Sequence, residues 1–122
     1  MGPTAAGRGG IVAALEGDVA ELTVLEAAAA GRELLDVPVS VVWIGAGRRR
    51  PAGPLLAELA AEAGFASLPR HEVAALLDAD RVQLVVLGRQ PWARWSGRVW
   101  RRLRSTPVLI TGEGSLPPRR VL

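Results

Sequence analysis

Two short polar stretches, Glu16-Gly17-Asp18 and Gly88-Arg89-Gln90, each stand directly after an apolar run. A carboxylate beside a glycine is a hydrogen-bond acceptor held at a turn. A glycine followed by arginine offers backbone N–H groups next to a full positive charge, which suits an anion. Arg94, Ser96 and Gly97 add a second guanidinium and, at an expected helix start, free N–H groups on the positive end of a helix dipole. Ile44, near the end of a third apolar run, completes the candidate set for a nucleotide or other anion. For Glu16 the plainer alternative is a solvated carboxylate that, near Asp18, favours the start of a helix.

Catalytic chemistry has little to draw on. The chain has no cysteine and one histidine, His71, so thiolate nucleophiles and thiolate metal sites are absent and any metal site would rest on carboxylates. A Ser–His–acid triad would have to use His71, which the expected topology places away from the crevice. His71 therefore reads as a surface or helix-start residue, and the chain as a non-enzyme. "GAGRRR" (45–50) begins like a dinucleotide fingerprint, but Arg50 stands where the third glycine belongs, so it reads as a loop. Trp92 and Trp95, interleaved with Arg89 and Arg94, suit a protein interface or base stacking as well as burial within the monomer.

The elements that would position these residues follow from hydrophobic patterning. Apolar runs at 10–15, 37–45, 82–88 and 106–111 read as strands, with a weaker one at 65–69. Asp18 with Glu21 three residues on makes a capping-box-like start to a helix over 18–35. Its apolar stripe is read through Leu22, Leu25 and Ala29, with Glu21, Arg32 and Glu33 outside it. Pro54 opens a second helix whose one face carries Leu55, Leu56, Leu59, Ala60 and Ala63, and Gly64 stops it. Val73, Leu76 and Leu77 mark a short third helix. Ser96 caps a fourth, in which Val99 and Leu103 share a face, and Trp100 packs it on the sheet or on another chain. Five β–α units in alternation imply a small doubly wound α/β domain, its sheet mainly parallel with helices on both faces. Residues 1–9 are expected to be a flexible start and 113–122 a mobile tail, around a single domain at 10–112.

At 122 residues the chain can bury a real core, and 49% hydrophobic against 22% charged residues is a globular composition. No apolar run nears the ~20 residues of a membrane span, and "MGPTAAGRGG" lacks a signal peptide's apolar stretch, so a cytoplasmic protein is expected. All fifteen cationic residues are arginine, a bias that codon usage alone can produce. Their placement is more informative. Residues 1–80 carry six Arg against eleven Asp and Glu, net −5, whereas 81–122 carry nine Arg against Glu113, net +8. That asymmetry fits an anionic partner, an acidic surface on a neighbouring subunit, or a solvated face.

Over roughly residues 9 to 112 the sequence resembles the universal stress protein family. The family opens with an apolar strand, Asp-Gly-Ser and an alanine-rich helix; "IVAALEGDVAELTVLEAAAA" matches with Glu16 at the Asp place and Asp18 at the Ser place. "VSVVWI" and "VVLG…TPVLIT" fit the later strands. "LGRQPWARWSGRVWRRLR" is similar to the version inside potassium-sensing histidine kinases, where an Arg/Ser/Trp-rich loop replaces a glycine-rich one. The resemblance implies strand order 3-2-1-4-5 and a homodimer through Val108, Leu109 and Ile110 on the last strand. In the ATP-binding branch the phosphates lie on Gly-x2-Gly-x9-Gly-[Ser/Thr]. Here only Gly88 fits; Pro91 takes the second glycine's place and Arg101-Arg102 the last two. Proline has no N–H to give a phosphate, and arginine side chains fill the space phosphates need.

Three functions remain in play. The first is a non-catalytic stress or signalling module whose Trp/Arg loop binds an anionic small ligand or a protein partner at Trp92 and Trp95, with no cofactor required. The second is a stress protein that binds ATP or another adenine nucleotide. Nucleic-acid binding through Arg98, Arg101, Arg102 and Arg104 ranks last, because no recognised nucleic-acid motif is present.

Overall fold

The computed structural model describes residues 10–45, 47–88, 103 and 105–111. Five strands, β1 (Gly10–Leu15), β2 (Val39–Trp43), β3 (Ala66–Ser67), β4 (Val82–Leu87) and β5 (Val108–Ile110), form one sheet in the order β3-β2-β1-β4-β5. Every neighbouring pair is parallel. β1 lies at the centre, with Ala13 opposite Val41 of β2 on one side and Val86 of β4 on the other. The winding direction reverses between β1 and β4, and there the turns after these two strands meet.

Parallel strands need crossover helices, and these cover both faces. α1 (Leu22–Leu35) and α2 (Gly53–Glu62) pack on one face over Ile11, Ala13, Leu15, Val41 and Val86. α3 (Glu72–Asp78) and Leu103, which is helical, pack on the other over Val12, Ala14, Val42, Val85 and Leu87. β1 is wholly buried because it feeds both layers. Its six-residue apolar run, with no polar alternation, is the sequence consequence.

Several expectations shift when side chains are placed. The contact stripe of α1 runs through Val24, Leu25, Ala28 and Gly31, with Leu22 and Ala29 only partly buried. Gly31 sits on the stripe because a Cβ there would lie 3.0 Å from Ile11 Cδ1. Relative to a stripe drawn through Leu22, this face is rotated, and the rotation carries Glu21 inward to 5% exposure. On α2, Leu56 and Ala60 are buried while Leu55 is exposed, so the apolar face is wider than its contact. α1 is preceded by a 3-10 turn, Val19–Glu21, capped by Asp18. β3 shrinks to two residues, with buried Phe65 and Leu68 flanking it as anchors.

The two helices on the first face are tied at their ends. Arg32 Nη1 donates to the Ala63 carbonyl at 2.5 Å, where α2 leaves its last carbonyls unsatisfied, and its guanidinium lies 5.0 Å from the Phe65 ring centroid. Across the sheet, the Thr23 and Thr111 hydroxyls meet at 3.0 Å, linking the first turn of α1 to the residue after β5. Among the described residues no helix is long and apolar enough to cross a membrane.

Candidate functional site

The crevice at the carboxyl ends of β1 and β4 is built from the turn 16–18 and from Gly88. β1 delivers the chain to Glu16, and Gly17 turns it with φ +89. Asp18 takes an extended conformation, φ −102 and ψ 138, and its Oδ1 accepts from Ala20 N at 3.0 Å. The capping box legible in the sequence is therefore present. Its second member, however, does more than cap.

Glu21 turns its side chain back under the turn. Oε1 accepts from the backbone N–H of Glu16 at 2.7 Å, Gly17 at 2.8 Å and Asp18 at 3.1 Å, while Oε2 shares the Glu16 N–H at 2.8 Å. Three successive N–H groups converging on one oxygen make an anion-binding nest, and its anion comes from the same chain. The opposite wall is β4: a Cβ on Gly88 would stand 3.6 Å from both Cγ and Oε2 of Glu21 and 3.7 Å from Val24 Cγ2. The carboxyl group of Glu21 thus stands on the side of the crevice that Gly88 faces, with room for about a methyl group between them.

A second loop closes the floor of the turn. After β2 the chain makes a 3-10 turn, Gly47–Arg49, held by Gly47 N to Ile44 O at 3.1 Å and Arg50 N to Gly47 O at 3.1 Å. Gly47 presses on the turn after β1 so closely that a Cβ on it would fall 2.7 Å from Glu16 C. A Cβ on Gly17 would fall 2.1 Å from Gly47 O. Arg48, Arg49 and Arg50 point outward from this turn and are exposed.

The predicted site residues divide accordingly. Glu16, Gly17, Asp18 and Gly88 come together. Glu16 is half-buried with its Oε2 buried, so a freely solvated carboxylate does not describe it. Ile44 is 1% exposed, its side chain packs in the α3-side core, and its N–H donates to Leu15 O at 2.9 Å. Arg89, Trp92, Arg94, Ser96, Gly97 and Trp95 lie outside the described residues, as do Val99, Trp100, Arg98, Arg101, Arg102 and Arg104, the start at 1–9 and the tail at 113–122. His71 is exposed at the N-cap of α3 and makes no side-chain cap bond. Among the described residues no three His, Cys, Asp or Glu side chains gather as a metal site. Sequence reasoning missed Glu21 as an interior group and Gly47 as a packing partner.

Burial pushes the Glu21 carboxyl above its ordinary value of 4.5, against the pull of the N–H donors of Asp18, Glu16 and Gly17; the charge of Glu16 pushes the same way as burial. A group with a raised folded pKa contributes stability that is complete below its unfolded pKa and fades as pH rises through the folded one. Wild type should therefore gain stability relative to Glu21→Gln as pH falls from neutral towards about 4.5. Urea midpoints of both proteins across that window measure it. A difference that grows as pH rises would show that the donors outweigh burial, and a flat one that the two cancel.

No family profile matches the chain, and no curated sequence relative does. Solved structures do. A protein of the universal stress protein family from Burkholderia pseudomallei is similar over 89% of this chain and 98% of its own, with 16% identity and a TM-score of 0.50. A universal stress protein from Archaeoglobus fulgidus shares 20% identity over 83% of this chain and 91% of its own, with a TM-score of 0.49. At these identities the likeness is one of fold.

Proposed function

We propose that the chain is a universal-stress-type regulatory module without catalytic activity, which works by binding through the Trp/Arg segment after β4. Its partner there is a protein met at Trp92 and Trp95, and the crevice between β1 and β4 is not a triphosphate site. The observation that carries this reading is Glu21: its carboxylate already takes the convergent N–H groups of Glu16, Gly17 and Asp18, on the side of the crevice that Gly88 faces. A phosphate brought there would meet a buried negative charge and would have to displace it. Proline at position 91 and arginine at 101 and 102 support the same view from the sequence.

Thermal melts with ATP, ADP, AMP and cyclic dinucleotides test it. No shift is expected with any of them. Ligand at 100 times its dissociation constant stabilises a fold by about 2.7 kcal/mol, which moves the midpoint of a domain of this size by several degrees. A saturable shift of that order with ATP would overturn the proposal in favour of a nucleotide-binding stress protein.

Homodimerisation through β5 belongs to the same proposal, in a cytoplasmic setting. β5 stands last in the sheet order, and Leu109 and Ile110 are only partly buried. An apolar edge of this kind favours pairing with another strand.

A further inference from the structure

The nest at residues 16–18 can be separated from the group that fills it. Every donor is a backbone N–H lying three to five residues before Glu21. The turn also has supports that owe nothing to the Glu21 side chain. Gly17 rests against Gly47, Asp18 Oδ1 holds Ala20 N, and Ile44 N holds the Leu15 carbonyl. The receptor should therefore keep its shape when its occupant is removed.

The slot also has a definite chemistry. One oxygen receives three N–H groups at 2.7, 2.8 and 3.1 Å, and the second shares the Glu16 N–H at 2.8 Å. Beyond it lies Gly88, where an added Cβ would stand 3.6 Å from Glu21 Cγ and Oε2 and 3.7 Å from Val24 Cγ2. A flat two-oxygen group uses every one of these donors, whereas the further oxygens of a tetrahedral phosphate would find no N–H left in the turn to pair with.

We infer that the turn 16–18 is a carboxylate-binding site in which Glu21 is a tethered resident ligand, and that a small external carboxylate takes its place when that side chain is absent or withdrawn. This rests on the reading of the crevice as self-occupied. Tethering on a short chain corresponds to an effective concentration in the millimolar range. A free carboxylate must exceed that range to compete in wild type, and has no competitor in Glu21→Ala. Acetate supplies the atoms that this substitution deletes.

The experiment is chemical rescue, with wild type, Glu21→Ala and Glu21→Gln melted in acetate, formate, acetamide, phosphate and chloride at matched ionic strength. Acetate and formate should raise the midpoint of Glu21→Ala saturably by several degrees. Acetamide, phosphate and chloride should not, and Glu21→Gln, whose amide keeps the slot filled, should respond to none. If Glu21→Ala is unfolded alone, recovery of a native far-ultraviolet spectrum and a cooperative melt on adding acetate is the same readout. No carboxylate-specific stabilisation or recovery, an equal response to phosphate, or an equal response in Glu21→Gln overturns the inference. The nucleotide melts on wild type are independent of this outcome: ATP binding there removes the proposed function, while failed rescue removes only the exchangeable site.

Discussion

Replacing Gly17 by alanine is expected to destabilise the protein by about 3–5 kcal/mol, a large fraction of the 5–15 kcal/mol that holds a typical domain folded. Two independent costs combine. The residue has φ +89, a region L side chains rarely enter. The new methyl would also lie 2.1 Å from the Gly47 carbonyl oxygen and 2.8 Å from Arg50 Cβ. Both obstacles belong to a turn fixed by its own hydrogen bonds, so neither can swing away cheaply. Gly47→Ala strikes the same contact from the other side, and the double variant should cost clearly less than the two singles added, because the contact is lost only once. Gly88→Ala is the useful comparison. Its methyl meets nothing nearer than 3.6 Å, and it should change stability by less than about 1 kcal/mol. Urea unfolding of the four variants checks the set, and Gly17→Ala with a wild-type midpoint would dismiss the packed-turn account.

Glu21→Ala comes next, with an expected loss of about 2–4 kcal/mol at neutral pH. The substitution strips the acceptor from three N–H groups at once, and the one on Gly17 belongs to a buried pair. Each unsatisfied donor costs about 1–3 kcal/mol; the total is smaller than the sum because the variant no longer buries a carboxylate, whose desolvation opposes folding. Glu21→Gln keeps an acceptor oxygen in place and should lose about 1 kcal/mol. The ordering wild type, Gln, Ala is the test. Should Glu21→Ala match or exceed wild type at pH 7, the carboxylate is a net burden and the nest is not holding it.

The sheet was legible because its strands announce themselves. "GIVAAL" and "VQLVVL" have almost no polar alternation, as strands covered on both faces must, and Gly, Pro and Asp punctuate the intervals. Gly64, with φ +80, ends α2 as its type suggests. The site was legible only in outline. Sequence placed Glu16, Gly17, Asp18 and Gly88 in one crevice, because strand neighbours bring their following turns together. It misjudged Glu21, for a specific reason. An alanine-rich helix carries a faint stripe, and drawing that stripe through Leu22 instead of Val24 turns the helix just enough to put its first carboxylate in water. Capping-box logic named the right donor on Asp18 but gave no reason to add Glu16 and Gly17, since the hairpin path of the side chain depends on Gly17 taking a left-handed conformation. The Gly17–Gly47 approach joins two loops distant in sequence, and no local pattern encodes such a meeting. Ile44 is core rather than surface because a residue at a strand's end can point into the core as readily as into a crevice.

The strand order has a further consequence for how the chain comes into being. Of the five strands β1 is made first, yet its two partners begin at residues 39 and 82, and β4 in turn waits for residue 108. A nascent chain shorter than that carries an open, apolar strand edge at every stage, and local hairpins cannot close it because all pairings are parallel. Native protection of Ile11 to Leu15 should therefore emerge only once β4 is free of the exit tunnel, long after β1 itself.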